Sequence, residues 1–294
     1  MEHLPDSTWK HFDLYEQVKK AILALAAFFE SETHIEGISA TDIFTLNSAL
    51  GATIEDQVVA ALNRNRAVWD PLGRYTLYTF KRQPQTFPDV VLRKTGGDEI
   101  ILGVELKGWY LLSKEGEPSF RYTVTPAACA AADLLIVVPW ALKNVLSGSP
   151  RVFDPYVISA RYAAELRNYH WMHTRNAQTN PSVASPPSPP GPYPSKSDQI
   201  ADRAVSDNGG NFGRYARTGL MDKYICTSLA QPICGIPARA WLEFFKIFTE
   251  SLSDEDMAVR MDRIRKKFRE LASTSTASQI EPLRQILSII EAAL

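Results

Sequence analysis

The segment 100–112 constrains this chain more than any other. Ile100, Ile101, Leu102, Val104 and Leu106 make it apolar enough for a buried strand, yet Glu105 and Lys107 interrupt it at alternate positions. Side chains alternate across a strand, so these two charges project from one face. Taking a charge out of water without a partner is costly. A strand that keeps two charges this close together either pairs them across the sheet as a salt-bridge cluster or uses them chemically.

Its partner strand lies just upstream. Phe87-Pro88-Asp89-Val90-Val91-Leu92 reads as a strand, and Thr95-Gly96-Gly97-Asp98 supplies the hairpin turn between the two. Antiparallel pairing then brings Asp89 beside Glu105 and Lys107. Aromatic and β-branched residues over 75–80 predict a further strand. The continuous apolar run from Leu134 to Val138 predicts one buried on both faces, ended by Pro139.

Helical spacing governs much of the rest. It predicts helices over 7–32 with Ser7 as N-cap, and over 47–65, where Leu50, Ile54, Val58, Ala61 and Leu62 form a stripe beside Glu55. Residues 127–132 are small and helix-competent, 155–174 carry a helical face, and three more helices fall near 238–252, 255–272 and 281–293. Between them, 177–196 is rich in Pro and Ser, which removes backbone donors and reads as a loop or linker. The expected organisation is N-terminal helices plus core at 1–176, the loop at 177–196, and a helical region at 197–294. The fold class is α/β, a mixed central sheet flanked by helices with additional C-terminal helices.

Global charge does not decide the partner. With 32 Lys and Arg against 33 Asp and Glu, a uniformly basic surface is excluded, so any nucleic-acid contact must be local. Cys129, Cys226 and Cys234 are odd in number and form no Cys-x-x-Cys pair, which fits a reducing cytoplasm. The start has no basic n-region and the apolar stretch at 21–29 is too short to span a bilayer, so no membrane association is expected.

A pocket holding Asp89, Glu105 and Lys107 has definite chemical uses. Hard carboxylate oxygens suit Mg²⁺, which keeps several waters and takes other ligands from substrate phosphate. Such an ion acidifies bound water and stabilises the charge that develops on phosphate. Lys107 can position or help deprotonate the attacking water.

Pro88-Asp89, a hairpin, and Glu105-Leu106-Lys107 together resemble the PD-(D/E)xK nuclease superfamily, to which most type II restriction endonucleases belong. The similarity spans roughly residues 47 to 140, with the Glu55 helix before the motif and the 127–132 helix and Leu134 strand after it. It implies a restriction-endonuclease-like fold and a Mg²⁺-dependent endodeoxyribonuclease that hydrolyses phosphodiester bonds of duplex DNA. In that reading Asp89 and Glu105 bind metal, Glu55 assists at the metal, Lys107 acts on the nucleophilic water, and Mn²⁺ can substitute. A type II restriction enzyme working as a homodimer is the first expectation. A repair or phage-defence nuclease acting on branched, modified or single-stranded DNA, or an inactive DNA-binding protein with the same core, are the alternatives.

Other residues have two readings each. Asn211, Arg214 and Arg217 follow a Gly-rich turn at Gly209-Gly210, and would either contact a DNA phosphate or base edge or be surface groups after a turn. His170 and His173 could share a helix face as metal ligands or simply pack. The basic run Arg260, Arg263, Arg265, Lys266, Lys267 and Arg269 is a solvated helix face or a DNA contact.

Overall fold

A computed structural model describes residues 4–83, 85–175, 181–188, 190–207, 210–247 and 253–274. Helices α1 (Phe12–Leu23), α2 (Leu25–Phe28), α3 (Leu46–Arg64) and α4 (Arg66–Trp69) come first. Strands β1 (Tyr78–Arg82), β2 (Val90–Lys94), β3 (Ile100–Tyr110), β4 (Leu134–Leu142), β5 (Pro150–Val152) and β6 (Tyr156–Ser159) follow, and then helix α5 (Ala160–Tyr169). The C-terminal helices are α6 (Asp222–Leu229), α7 (Ala238–Ile247) and α8 (Asp254–Thr274). Among the described residues, no helix is long and apolar enough to cross a membrane.

The six strands form one mixed sheet. β1, β2 and β3 are consecutive antiparallel neighbours, β3 and β4 run parallel, and β4 pairs antiparallel with both β5 and β6. β4 is buried along its whole length, as its unbroken apolar sequence requires when both faces are covered. Helix α3 packs on β3 and β1, and α5 packs on β4 and β6.

Four expectations need correction. The first long helix begins at Phe12, not near Ser7. Asp6 folds the preceding turn by accepting from the Thr8 N–H and hydroxyl at 2.8 Å each, so the local hydrogen bond takes the place of helix. The 127–132 run forms only a 3₁₀ turn at Pro126–Ala128, because Asp133 accepts the Ala130 N–H at 2.7 Å and closes the chain into β4. Pro139 does not end β4. It falls between the residues paired with β6 and those paired with β5; its carbonyl still accepts from Phe153 N–H at 2.9 Å, so the strand continues with only the reciprocal N–H bond missing. Residues 156–159 are a strand before α5 begins, with Ser159 capping the helix by accepting from Tyr162 N–H at 3.3 Å.

The Pro-rich segment is pinned to the rest of the chain where it is described. Val183–Ala184 pair with Arg203–Ala204, and the Tyr193 hydroxyl donates to Asp133 Oδ1 at 3.1 Å. Residues 177–180, Gly209 of the anticipated turn and the anticipated helix at 281–293 lie outside the described residues. The side chains of Tyr215, Ile233, Trp241 and Phe245 join the same hydrophobic core as the sheet.

Candidate active site

Register places the three motif residues together. Val90 pairs with Val104, so Asp89, immediately before β2, falls opposite Glu105. Its backbone N–H donates to Glu105 Oε2 at 3.3 Å, and its carbonyl accepts from Gln83 N–H at 2.7 Å. Gly103 makes this approach possible. A Cβ at that position would overlap Pro88 Cγ and stand 2.8 Å from Asp133 Oδ1, so only glycine lets the Pro88 ring lie against β3.

The Lys107 ammonium sits 2.8 Å from Asp89 Oδ2 and 2.8 Å from Glu105 Oε1. Glu55 approaches from α3, accepting from the Gly108 N–H at 3.4 Å. Arg82 on β1 ties that helix down, reaching Asp56 Oδ1 at 2.6 Å and Glu55 Oε2 at 3.3 Å. All four residues singled out from the sequence therefore meet. Arg82 and Gln83 were missed, since an arginine near a strand end has no distinguishing pattern without the partner elements.

Burial grades the charges. The Glu105 side chain is 10 % exposed, Lys107 21 % and Asp89 28 %, so the cluster opens to solvent on the Asp89 side. Burial pushes the Glu105 carboxyl up to about 7, with Asp89 adding to the rise and Lys107 opposing it. Burial likewise raises Glu55, against the pull of Lys107. Lys107 is disfavoured as a cation by burial, but Glu105 and Asp89 outweigh that and hold it above its ordinary value. Both carboxylates face one ammonium, which stays charged, while burial disfavours the ionised form of Glu105.

A cleft of about 270 Å³ opens on this cluster. Phe87, Asp89 and Glu105 line it together with Ser195, Lys196 and Asp198 from the end of the Pro-rich segment. Asp198 fixes that loop by accepting from Ser195 N–H at 2.7 Å and Ser195 hydroxyl at 2.9 Å. Lys196 thus adds a positive charge to the cleft, a contribution that its sequence setting among Ser and Pro did not signal.

No group of three or more His, Cys, Asp or Glu side chains among the described residues is arranged to hold a metal ion. The donors that do meet, Asp89 and Glu105, are hard oxygens on an open cleft. Their chemistry fits a divalent cation that keeps most of its ligands as water, and Glu105, reluctant to ionise where it is, would be stabilised by one. His170 and His173 do not form a second centre: His170 Nδ1 is 2.7 Å from the Thr174 hydroxyl, and His173 packs on Tyr169.

Asn211, Arg214 and Arg217 do come together, lining a separate cavity of about 260 Å³ with Arg167, Trp171 and Arg175. They are carried by a loop and the 3₁₀ turn at Tyr215–Thr218, not by a long helix beginning near Gly213. Arg265 on α8 pairs with Asp262 at 2.6 Å, and Met261 and Ile264 bury the opposite side of that helix.

No family model, curated protein or solved structure matches this chain.

Proposed function

We propose that this chain is a divalent-metal-dependent nuclease that hydrolyses phosphodiester bonds of duplex DNA, built on a PD-(D/E)xK, restriction-endonuclease-like core. The observation that carries this reading is the meeting of Asp89, Glu105 and Lys107, with both acids lining an open cleft. A merely structural salt bridge has no need of a second carboxylate, nor of a buried acid poised to exchange a proton near neutral pH. The order of elements also suits the reading, with the Glu55 helix ahead of an antiparallel strand pair and a parallel buried strand after it. The helix that usually separates those last two strands in the family is here reduced to a single 3₁₀ turn.

In this reading Asp89 and Glu105 hold Mg²⁺ or Mn²⁺, with Glu55 in support. When bound, the ion lowers the pKa of water and offsets phosphate charge. The chain's own groups do the rest. Lys107, kept protonated by its two carboxylate neighbours, orients a water through its N–H donors and stabilises negative charge, and does not serve as the base. Glu105, raised by burial in the free protein, would give up its proton on taking the ion and serve as a ligand. Lys196 would attract the substrate phosphate into the cleft. Cutting both strands of a duplex takes two such sites, so a homodimer, as in a type II restriction enzyme, is part of the proposal.

Incubation of supercoiled plasmid with the protein, with Mg²⁺, Mn²⁺ or EDTA, tests it. Metal-dependent nicking or linearisation that disappears in Asp89→Ala and Glu105→Ala is the expected result. A discrete fragment pattern would favour a restriction enzyme over a nuclease for branched or single-stranded DNA. DNA binding without any cleavage, equal in wild type and both variants, would reduce the core to a binding module.

A further inference from the structure

The cavity at Asn211, Arg214 and Arg217 shares no lining residue with the catalytic cleft, and most of its guanidinium groups are already held in place. Arg167 is locked by Asp202 Oδ2 at 2.6 Å and by the Tyr122 carbonyl at 2.7 Å. The Arg217 Nε group is fixed on Glu117 Oε1 at 2.5 Å, and the Arg175 guanidinium lies 3.5 Å from the centre of the Trp171 ring. No carboxylate forms an ion pair with Arg175 or Arg214 among the described residues. Among the described residues Asp207 is the acid that lines the cavity, and its carboxylate accepts from the backbone N–H groups of Asn211 at 2.8 Å and Phe212 at 3.3 Å.

Four guanidinium groups line the cavity, and two of them, Arg175 and Arg214, form no ion pair among the described residues, so positive charge outweighs the single carboxylate beside it and the cavity favours an anion. A guanidinium fork takes up two acceptor oxygens, so several forks on one cavity suit a phosphate, with its larger number of oxygens, over a lone carboxylate. A volume of about 260 Å³ holds a phosphate with the start of its ester, whereas whole drug-sized ligands occupy more.

We infer that the cavity formed by Arg167, Trp171, Arg175, Arg214 and Arg217 is a second phosphate-binding site, separate from the catalytic cluster. Two sources offer that group: a phosphate of a nucleic-acid strand, or free phosphate. The inference does not rest on the nuclease reading, and its test can be run with no cleavage taking place.

The test is calorimetric titration of the intact protein in EDTA with inorganic phosphate, a 5′-phosphorylated trinucleotide and the same trinucleotide with a 5′-hydroxyl. Wild type should bind at least one phosphate ligand, with Arg214→Ala and Arg175→Ala each weakening it at least tenfold. Arg214→Lys should retain part of the affinity, because charge remains while the fork is lost. Glu105→Gln should bind as wild type does, whether or not the catalytic reading holds. Equal affinity for inorganic phosphate and the phosphorylated trinucleotide identifies free phosphate as the ligand, and preference for the trinucleotides identifies a strand phosphate; either supports the site. The inference is overturned if no phosphate ligand binds, if Arg214→Ala and Arg175→Ala with unchanged circular dichroism bind as wild type, or if Glu105→Gln abolishes binding.

Discussion

The Lys107 ammonium donates to Asp89 Oδ2 at 2.8 Å, tying the residue just before β2 to the middle of β3. The same ammonium faces Glu105, so both proposed metal ligands already have a cation between them. Under the proposed function, a divalent ion would have to compete with Lys107 for the same oxygens.

Removing Lys107 separates metal binding from turnover. In Lys107→Ala, Mn²⁺ affinity measured by calorimetry should rise, since one positive charge beside the ion is gone. Plasmid cleavage should fall by about 10²–10³-fold, the range for losing one positioned hydrogen-bond donor to developing charge. Lys107→Arg should not restore it, because the longer planar group cannot occupy the position of an ammonium between two carboxylates. A variant that loses metal and activity together would show Lys107 to be a structural support for the carboxylates.

Stability should depend on pH through Glu105. Burial raises its carboxyl from an ordinary value near 4.5 to about 7, so between these values the folded chain keeps a proton that the unfolded chain has released. The resulting stabilisation is complete below about 4.5 and is lost as pH rises through about 7. Asp133, raised by burial to about 6, acts with the same sign lower in the range, and Glu55 also shifts upward. Urea denaturation from pH 5 to 8 should show stability falling with pH, with a shallower fall near pH 7 in Glu105→Gln. Metal binding below pH 7 should release protons, visible as a buffer-dependent heat. A profile that rises from pH 5 to 7 and is identical in Glu105→Gln would remove Glu105 from this role.

Gly103 is the backbone condition for the site. Gly103→Ala must push the Pro88 ring away or displace the Asp133 carboxylate, which accepts the Gly103 N–H at 2.7 Å. Overpacking of this kind costs roughly 1–3 kcal/mol. Asp89 follows Pro88, so divalent-metal affinity should drop along with the denaturation midpoint. Unchanged stability would mean that the Pro88 contact is easily given up.

The central hairpin was readable because period two, a Gly-Gly turn and buried charge all point to one register, and Asp89, Glu105 and Lys107 meet as that register requires. Helical spacing predicts the helix that carries Glu55, the family resemblance puts that residue at the site, and Glu55 accepts from the Gly108 N–H at 3.4 Å. Local pattern failed where a distant group decides. Asp133 draws in Ala130, Gly103 and Tyr193, residues far apart in sequence, and in doing so replaces a helix at 127–132 with a turn. Pro139 reads as a strand end because a single sequence does not show that β5 and β6 divide the neighbouring edge between them. Arg167 lies on a helical face that reads as half polar, yet it is almost fully buried by Asp202, a residue beyond the Pro-rich run.

That buried pair gives the last prediction. Arg167 and Asp202 side chains are 1 % and 0 % exposed, and the contact joins α5 to the chain that follows the Pro-rich segment. Burial lowers the Arg167 pKa, with Asp202 opposing the shift, so the guanidinium depends on this one carboxylate for its charge balance. Its remaining N–H groups reach the Tyr122 and Val124 carbonyls at 2.7 and 3.1 Å and Asn168 Oδ1 at 2.9 Å. Asp202→Ala should therefore cost about 3–5 kcal/mol, as breaking one half of a buried pair does, read as a lower denaturation midpoint. The pair itself is not an optimal arrangement, since Asp202 Oδ1 is buried with no partner among the described residues. Arg167→Met with Asp202→Leu should accordingly recover most of that loss, while leaving the Tyr122 and Val124 carbonyls to find other donors. A single Asp202→Ala variant as stable as wild type would mean that water reaches Arg167, and that this contact does not hold the C-terminal region to α5.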